Sequence, residues 1–301
     1  MAESQKTPFA LANINGEICP LSEAKVPALD RGFLFGDAVY EVMWVDQGRM
    51  WLEEEHFIRL ERSLKLIRIE GVDIPTLTAR VYETINAGNF KNAIVYIQIT
   101  RGSAPRSHAF PKNVKPFEFL FVQEFNDPYS EMREKGIHLL SRPDIRWDHC
   151  DIKSTNLLAN VLAIQDSKEA GCHEVLFYLK DGTITESAHS SLFGVLDGVL
   201  YTSPCSDLIL PGITRNHILN LTTKAEIPTR EKSLHIELLG QVSELFISGT
   251  TSGVLPVVTV DNKPIGDGKP GPITRKIEKA YWDSVKAWNH GNSHKQDGSG
   301  I

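Results

Sequence analysis

RWDHCDIKSTNLLAN, residues 146–160, is the stretch from which the chain is best read. One lysine, Lys153, follows the extended pair Asp151-Ile152 and precedes Ser154, Thr155 and Asn156, each of which can cap a helix. Leu157, Leu158, Val161 and Leu162 then place apolar groups at helical spacing, the spacing continues to Gln165, and Gly171 stops the run. This pattern puts Lys153 just before a helix N-terminus, where the macrodipole disfavours a cation. Partial desolvation there would lower the ammonium pKa and free a neutral amine as a nucleophile. A lone lysine beside a helix is ordinarily a solvated one, so the reading depends on what accompanies it.

Outward from that stretch, the 301 residues suit two modest domains, and 41% hydrophobic with 23% charged residues is the make-up of an ordinary globular protein with a substantial core. The balance of 32 basic against 38 acidic residues contains no Lys/Arg block, which argues against a nucleic-acid partner. No apolar run reaches membrane-spanning length, and the start MAESQKTPFA has no signal-peptide core. Cys19, Cys150, Cys172 and Cys205 form no C-x-x-C pair, a pattern that fits reduced thiols in the cytoplasm and gives no support to a metal site.

The N-terminal part reads as an α/β domain over residues 1–124, after a disordered lead-in at 1–7. Ile14-Asn15-Gly16-Glu17 is a hairpin turn, and DRGFLFGDAVYEV, residues 30–42, is a two-glycine loop leading into a strand. Tyr40 and Val42 share one face of that strand, Val39 and Glu41 the other. A helix is predicted from about 54 to 69 with Phe57, Leu60, Leu64 and Ile67 as its buried stripe, and Arg59 lies beside that stripe. A second helix is predicted over 76–87 and strands over 93–100 and 117–122. Between these strands the polar loop at 101–111 offers Arg106 and His108, two apart, as a candidate carboxylate clamp, because the guanidinium fork matches two carboxylate oxygens.

Residues 125–131, FNDPYSE, read as an interdomain linker, followed by a C-terminal domain over 132–290 and a glycine-rich, disordered tail at 291–301. Lys180-Asp181-Gly182 marks a hairpin, and Glu186 follows its second arm. Leu210-Pro211-Gly212-Ile213-Thr214-Arg215 opens a helix whose free N–H groups form a ready phosphate site. Gly249-Thr250-Thr251-Ser252-Gly253, after a strand at 244–248, is a second small-residue turn able to hold the same phosphate. There is no dinucleotide-binding or P-loop glycine pattern and no G-x-S-x-G elbow. An amine nucleophile, two phosphate turns and a carboxylate at a strand end are what pyridoxal phosphate requires.

At this point the sequence resembles the fold-type IV pyridoxal-phosphate aminotransferases, and among them the D-amino-acid branch. The residues carrying the resemblance are DRGFLFGDAVYEV (30–42), EEHFIRL (54–60), YIQITRGSAPRSHAFP (96–111), RWDHCDIKSTNLLANVLA (146–163), TITESAHSSLFGV (183–195), LILPGITR (208–215) and SGTTSGVLPV (248–257). It covers residues 10–288 or so, and the P-R-x-H loop, Pro105 to His108, points to the D-amino-acid branch.

The resemblance implies a two-domain α/β (α+β) fold, a smaller N-terminal domain and a larger one with a β-barrel-like core, with the cofactor at their interface. It implies that Lys153 bonds to the cofactor aldehyde and shuttles the substrate proton. Glu186 would pair with the ring nitrogen, Leu210 would lie under the ring, and Arg59, Ile213, Thr214, Gly249 and Thr250 would hold the phosphate. Tyr40, Arg106 and His108 would bind the substrate carboxylate, with Tyr96, His189 and Thr251 also on the substrate side. It further implies a homodimer in which the 101–111 loop comes from the neighbouring subunit. The expected reaction is D-alanine plus 2-oxoglutarate to pyruvate plus D-glutamate. Alternatives within the fold are a branched-chain L-amino-acid or (R)-amine transaminase and an aminodeoxychorismate-lyase-like enzyme. Two departures stand out: His189 lies within Ser187-Ala188-His189-Ser190-Ser191 where a serine run is usual, and Gly249 stands where a serine is usual.

Overall fold

The computed structural model describes residues 9–290. The lead-in and tail expected to be disordered lie outside these residues. The chain divides into two compact units: the first runs to Asn126 and takes in Ile152–Asn156, and the second holds Asp127–Asp151 and continues from Leu157.

The first unit contains β1 (Ala10–Ile14), β2 (Glu17–Pro20), α1 (Arg31–Phe35), β3 (Ala38–Asp46), β4 (Arg49–Met50), α2 (Glu53–Leu66), α3 (Ile74–Ala87), β5 (Asn92–Thr100) and β6 (Phe117–Glu124). Its sheet runs β2-β1-β6-β5-β3-β4 and every pairing is antiparallel. Alternation decides the faces: Val39, Glu41, Met43 and Val45 of β3 are buried, while Tyr40, Val42 and Trp44 are half-buried. The buried face packs on α2 and α3, where Phe57, Leu60, Leu64, Leu77, Val81 and Ile85 join one apolar cluster, with Ile67 partly buried against it. Three glutamates in the first turn of α2 complement its dipole, and its helical run ends at Leu66, before left-handed Arg68.

The stretch 30–36, read from sequence as a loop, forms the one-and-a-half turns of α1. Asp30 caps it by accepting from the N–H groups of Gly32 and Phe33, and Gly36 (φ 66°) ends it in the left-handed conformation.

The second unit contains α4 (Ser130–Lys135), β7 (Ile137–Pro143), α5 (Leu158–Glu169), β8 (Glu174–Tyr178), β9 (Ser191–Leu196), β10 (Val199–Thr202), α6 (Ile213–Lys224), β11 (Thr229–Glu231), β12 (Glu244–Gly249), β13 (Gly253–Val260), β14 (Lys263–Pro264) and α7 (Pro272–His290). The expected barrel-like core is an eight-stranded sheet in the order β11-β10-β9-β12-β13-β7-β8, with β14 on β13. β9, β12 and β13 are near-continuous buried runs, the signature of strands covered on both faces. Phe193 and Phe246 stack across neighbouring strands with centroids 4.7 Å apart.

The expected linker at 125–131 is shorter in the structure, because α4 begins at Ser130 and Tyr129 and Met132 pack against the second core. The 180–182 hairpin forms with Thr183–Thr185 as a bonded return and not a named strand: Leu179 N–H donates to Thr183 and Thr185 N–H to Phe177. Among the described residues no helix is long and apolar enough to cross a membrane.

Replacing Leu60, fully buried in the first core, by alanine is expected to cost about 2–5 kcal/mol of stability. The midpoint of urea unfolding measures this, and an unchanged midpoint would show that α2 does not anchor the sheet.

Candidate active site

Lys153 belongs to the first unit. Its segment lies along β3: Tyr40 N–H donates to the Lys153 carbonyl (2.9 Å), Thr155 N–H donates to Ala38, and Val39 bridges Ser154. Ile152 packs into the first core, and Lys153 N–H donates to Ser63 Oγ at 3.3 Å. The expected capping of the next helix is not what forms. α5 starts at Leu158 with Leu157 as a cap that makes no side-chain bond, while Asn156 N–H turns back to Ser154 Oγ and Asn156 Nδ2 donates to Gly36. The Lys153 segment is therefore placed by its pairing with β3. Its Nζ lies 4.1 Å from the centroid of the Tyr40 ring.

Beneath Tyr40, on the opposite face of β3, is a charged cluster that sequence reading missed in part. Arg59 grips Glu41 with two bonds (Nε to Oε1 2.7 Å, Nη2 to Oε2 2.8 Å), and His56 Nδ1 lies 2.7 Å from Oε2. All three are buried. Burial raises the Glu41 pKa, but Arg59 and then His56 outweigh it and hold the carboxyl well below its usual range. Burial lowers that of His56, opposed by Glu41 and reinforced by Arg59 and Lys153. The signal was available: a glutamate on the core side of a strand needs buried cations, and His56 and Arg59 stand three apart on α2.

Tyr40 stacks on Tyr96 (5.7 Å), and Tyr96 stacks on Phe121 (5.1 Å) and donates to Gln98 Oε1. Burial pushes the Tyr96 phenol up to about 12. Arg106 and His108 are exposed on their loop, and both pack on the Phe35 ring, at 5.2 and 5.4 Å.

In the second unit Glu186 is buried at the end of the 183–185 return. Arg146 Nη1 (2.6 Å) and Leu210 N–H (3.1 Å) both donate to its Oε1. Among the described residues Oε2 takes no donor. Arg146 is itself held by Asp144 through Nε and Nη2, and Thr185 Oγ1 donates to Asp144 Oδ2. Burial raises the Glu186 pKa to about 7 because Arg146, shared with Asp144, and the Leu210 N–H lower it only in part. Sequence reading assigned no role to Asp144 or Arg146, although Arg146 stands first in the stretch that carries Lys153.

The two small-residue turns meet in this unit. Gly212 caps α6 without a side-chain bond, so the cap satisfies none of the first N–H groups, those of buried Ile213 and Thr214 included. A Cβ on Gly212 would sit 2.5 Å from Ser191 Oγ, and one on Gly249 would sit 3.0 Å from Ser252 Oγ and 3.6 Å from Ser190 Oγ. Ser191 pairs with Ser248, which ties the two turns through β9 and β12. The hydroxyls of Ser187 and Ser248 are buried with no hydrogen-bond partner among the described residues. Bare N–H groups, orphaned hydroxyls and an unfilled glycine approach fit a phosphate-bearing cofactor. Thr250 and Thr251 are half-buried on the second turn, and Thr251 Oγ1 lies 3.5 Å from Tyr129 OH.

His189 Nδ1 pairs with buried Glu174 at 2.7 Å while its ring is 64% exposed. Glu174 also takes the N–H groups of Val175 and Ala188, and Asn160 Nδ2 donates to the Ala188 carbonyl, so the turn after Glu186 is fastened from below.

The amino-transferase class IV family matches residues 38–260. The chain is 39% identical over 270 residues to a D-alanine aminotransferase of Staphylococcus haemolyticus, covering 89% of this chain and 95% of that one. In structure it is similar to a branched-chain amino acid aminotransferase of Escherichia coli: TM-score 0.84, 27% identity, 92% of this chain and 94% of that chain. It also matches the fold of a T.th. branched-chain amino acid aminotransferase described with pyridoxamine 5′-phosphate, at TM-score 0.85 and 23% identity, covering 93% and 95% of the two chains. An enzyme of amino-group transfer is thus the class, and the chain belongs to the class IV aminotransferases.

Glu186 makes stability depend on pH. Its pKa rises from the ordinary 4.5 to about 7 on folding, so the folded chain keeps a proton that the unfolded chain releases. In ligand-free protein this group lowers stability as pH rises from 4.5 towards 7, by on the order of 1–3 kcal/mol. Glu186→Gln is expected to flatten that slope in denaturation curves taken across the window; an identical slope would remove the assignment.

Proposed function

We propose that the chain is a pyridoxal-phosphate-dependent D-amino-acid transaminase, passing the amino group of D-alanine to 2-oxoglutarate and giving pyruvate and D-glutamate. The observation that supports the reading is the placement of Lys153, its amine 4.1 Å from the centroid of the Tyr40 ring, Tyr40 being one of the residues assigned to the substrate carboxylate. Likeness over most of the chain to a D-alanine aminotransferase supports the choice of substrate.

Bound pyridoxal phosphate would supply a protonated aromatic ring that takes up the electron pair left when the substrate Cα–H bond breaks. Lys153 Nζ is the group that takes this proton off Cα and hands it on. Glu186, with Oε2 open, would hold the proton at the ring nitrogen once that cationic donor restored its charge, and Arg146 keeps its carboxyl oriented. Leu210 would lie under the ring. Ile213 and Thr214 N–H groups with Gly249 and Thr250 would hold the phosphate, and Arg59 would contribute to the same duty. Tyr40, Arg106 and His108 bind the substrate carboxylate, a charge-assisted contact that fixes which hydrogen faces Lys153. Tyr96, Thr251 and His189 border the substrate side chain.

The active form is a homodimer in which the 101–111 loop serves the neighbouring subunit's site. Leu158, Val161 and Leu162 support dimerisation: they form an apolar face of α5 that is 72%, 59% and 55% exposed. Four free thiols fit a reducing, cytoplasmic location.

A branched-chain L-amino-acid transaminase is the second reading, favoured by the likeness to the Escherichia coli structure. Incubating the purified protein with D-alanine or L-leucine and 2-oxoglutarate, then determining the handedness of the glutamate formed, separates the two. D-glutamate from D-alanine is expected, and L-glutamate from L-leucine would overturn the assignment. Lys153→Ala is expected to abolish turnover together with the visible absorbance of lysine-bound cofactor. Retained turnover would sink the mechanism.

A further inference from the structure

We propose that Arg31 is a positioning residue for the carboxylate clamp: its buried guanidinium fastens three consecutive carbonyls of the loop that carries Arg106 and His108, and Phe35, one turn on, supplies the surface on which both clamp side chains rest. The inference rests on the reading of Arg106 and His108 given above and adds to it the device that holds them.

α1 is short, but Asp30 and Gly36 fix both its ends, so Arg31 and Phe35 project from the same face at a separation of four. Arg31 is 3% exposed. Its Nε donates to Asp37 Oδ2 at 2.8 Å; Nη1 donates to Ser107 O at 2.5 Å and to Ala109 O at 3.4 Å; Nη2 donates to His108 O at 3.3 Å. Asp37 is gripped from its other side by Arg101, whose Nε and Nη2 donate at 2.8 and 2.9 Å. Burial pulls the Asp37 pKa up, but Arg101 and Arg31 overcome it and the carboxylate stays charged.

The loop needs such a tether. Its start is tied by backbone, through Arg31 N–H to Gly102, Ala104 N–H to Leu29 and the Asp30–Ser103 bridge. From 105 to 110 no backbone–backbone hydrogen bond forms among the described residues, so Arg31 provides the hydrogen bonds that hold Ser107, His108 and Ala109. The remaining support is aromatic: Phe35 lies 5.2 Å from the Arg106 guanidinium and 5.4 Å from the His108 ring, and Phe110 lies under Arg101 at 3.7 Å. A guanidinium fork binds a carboxylate in a narrow range of orientations, and a loop left free would have to be ordered each time substrate arrives. Loss of Arg31 should thus weaken substrate binding while leaving the reacting groups intact.

The test is steady-state kinetics of the holoenzyme with D-alanine and 2-oxoglutarate for Arg31→Gln, Arg31→Lys, Arg106→Ala and the double variant Arg31→Gln/Arg106→Ala. Arg31→Gln is expected to raise KM for both substrates by roughly tenfold or more with kcat changed by less than about threefold. Lysine is expected to recover part of the loss. In the Arg106→Ala background Arg31→Gln should add little further, since both act through one clamp. If Arg106→Ala raises KM and Arg31→Gln does not, the positioning role is overturned and the clamp stands. If Arg106→Ala leaves KM unchanged, the clamp reading falls and this inference falls with it. A parallel loss of kcat, or additive losses in the double variant, would make Arg31 merely structural and overturn the proposal. Should Arg31→Gln not accumulate as folded protein, Phe35→Ala decides by the same criteria.

Discussion

The attachment of residues 152–156 to β3 is the constraint on which the first unit's chemistry depends. Two backbone hydrogen bonds and one bridge join this short segment to Ala38, Val39 and Tyr40, and Ile152 anchors it in the core. None of these bonds is strong alone, each contributing roughly 0.5–1.5 kcal/mol net. Their effect is positional: the segment shares the strand's alternation, so Lys153 comes to the Tyr40 side, where the sheet is open, and not to the Glu41 side, where it is packed. A slip of one residue would send the amine into the buried cluster of Glu41, Arg59 and His56, where a further positive charge beside Arg59 is costly.

How far this was legible in the sequence depended on what decided each feature. Period-two and period-3.6 patterns gave the strands and most helices to within a few residues, because burial of apolar side chains decided them. Lys153, Glu186 and the two small-residue turns stood out as candidates because their residue types are unusual where they stand. The return of residues 152–156 to the first unit was not visible, since it is made by backbone bonds between segments more than a hundred residues apart. The apolar spacing of α5 gave the helix but not its buried face. Leu158, Val161 and Leu162 have a helical period, yet they are exposed, and Ala163 and Ser167 are the buried residues. Periodicity reports that a face is apolar, not which partner covers it. α1 was missed because its five residues are too few to show a period, although Asp30 before Arg31 was a readable cap.

The small-residue positions follow from steric need. At Gly212 and Gly249 a side chain would meet serine hydroxyls, so glycine lets two turns approach the same polar space. At Gly249 the hydroxyls of Ser252 and Ser190 stand within 3.0 and 3.6 Å of where a Cβ would lie.

Two glutamates make the clearest comparison of how one residue type is given different work. Glu41 and Glu186 are both buried, and burial pushes each towards the neutral form. Glu41 is bound by Arg59 through both oxygens and has His56 in addition; attraction wins and the carboxylate is a fixed charge. Glu186 shares Arg146 with Asp144, which claims two of the guanidinium's nitrogens, and receives bonds on one oxygen only. Attraction is there divided while desolvation is not, and the balance falls near neutrality. A group so poised gains most from a new cationic donor at its open oxygen, because such a donor would tip an already even contest towards the charged pair. The same donor set against Glu41 would find both oxygens already engaged and the charge already compensated, so the two carboxylates are not interchangeable.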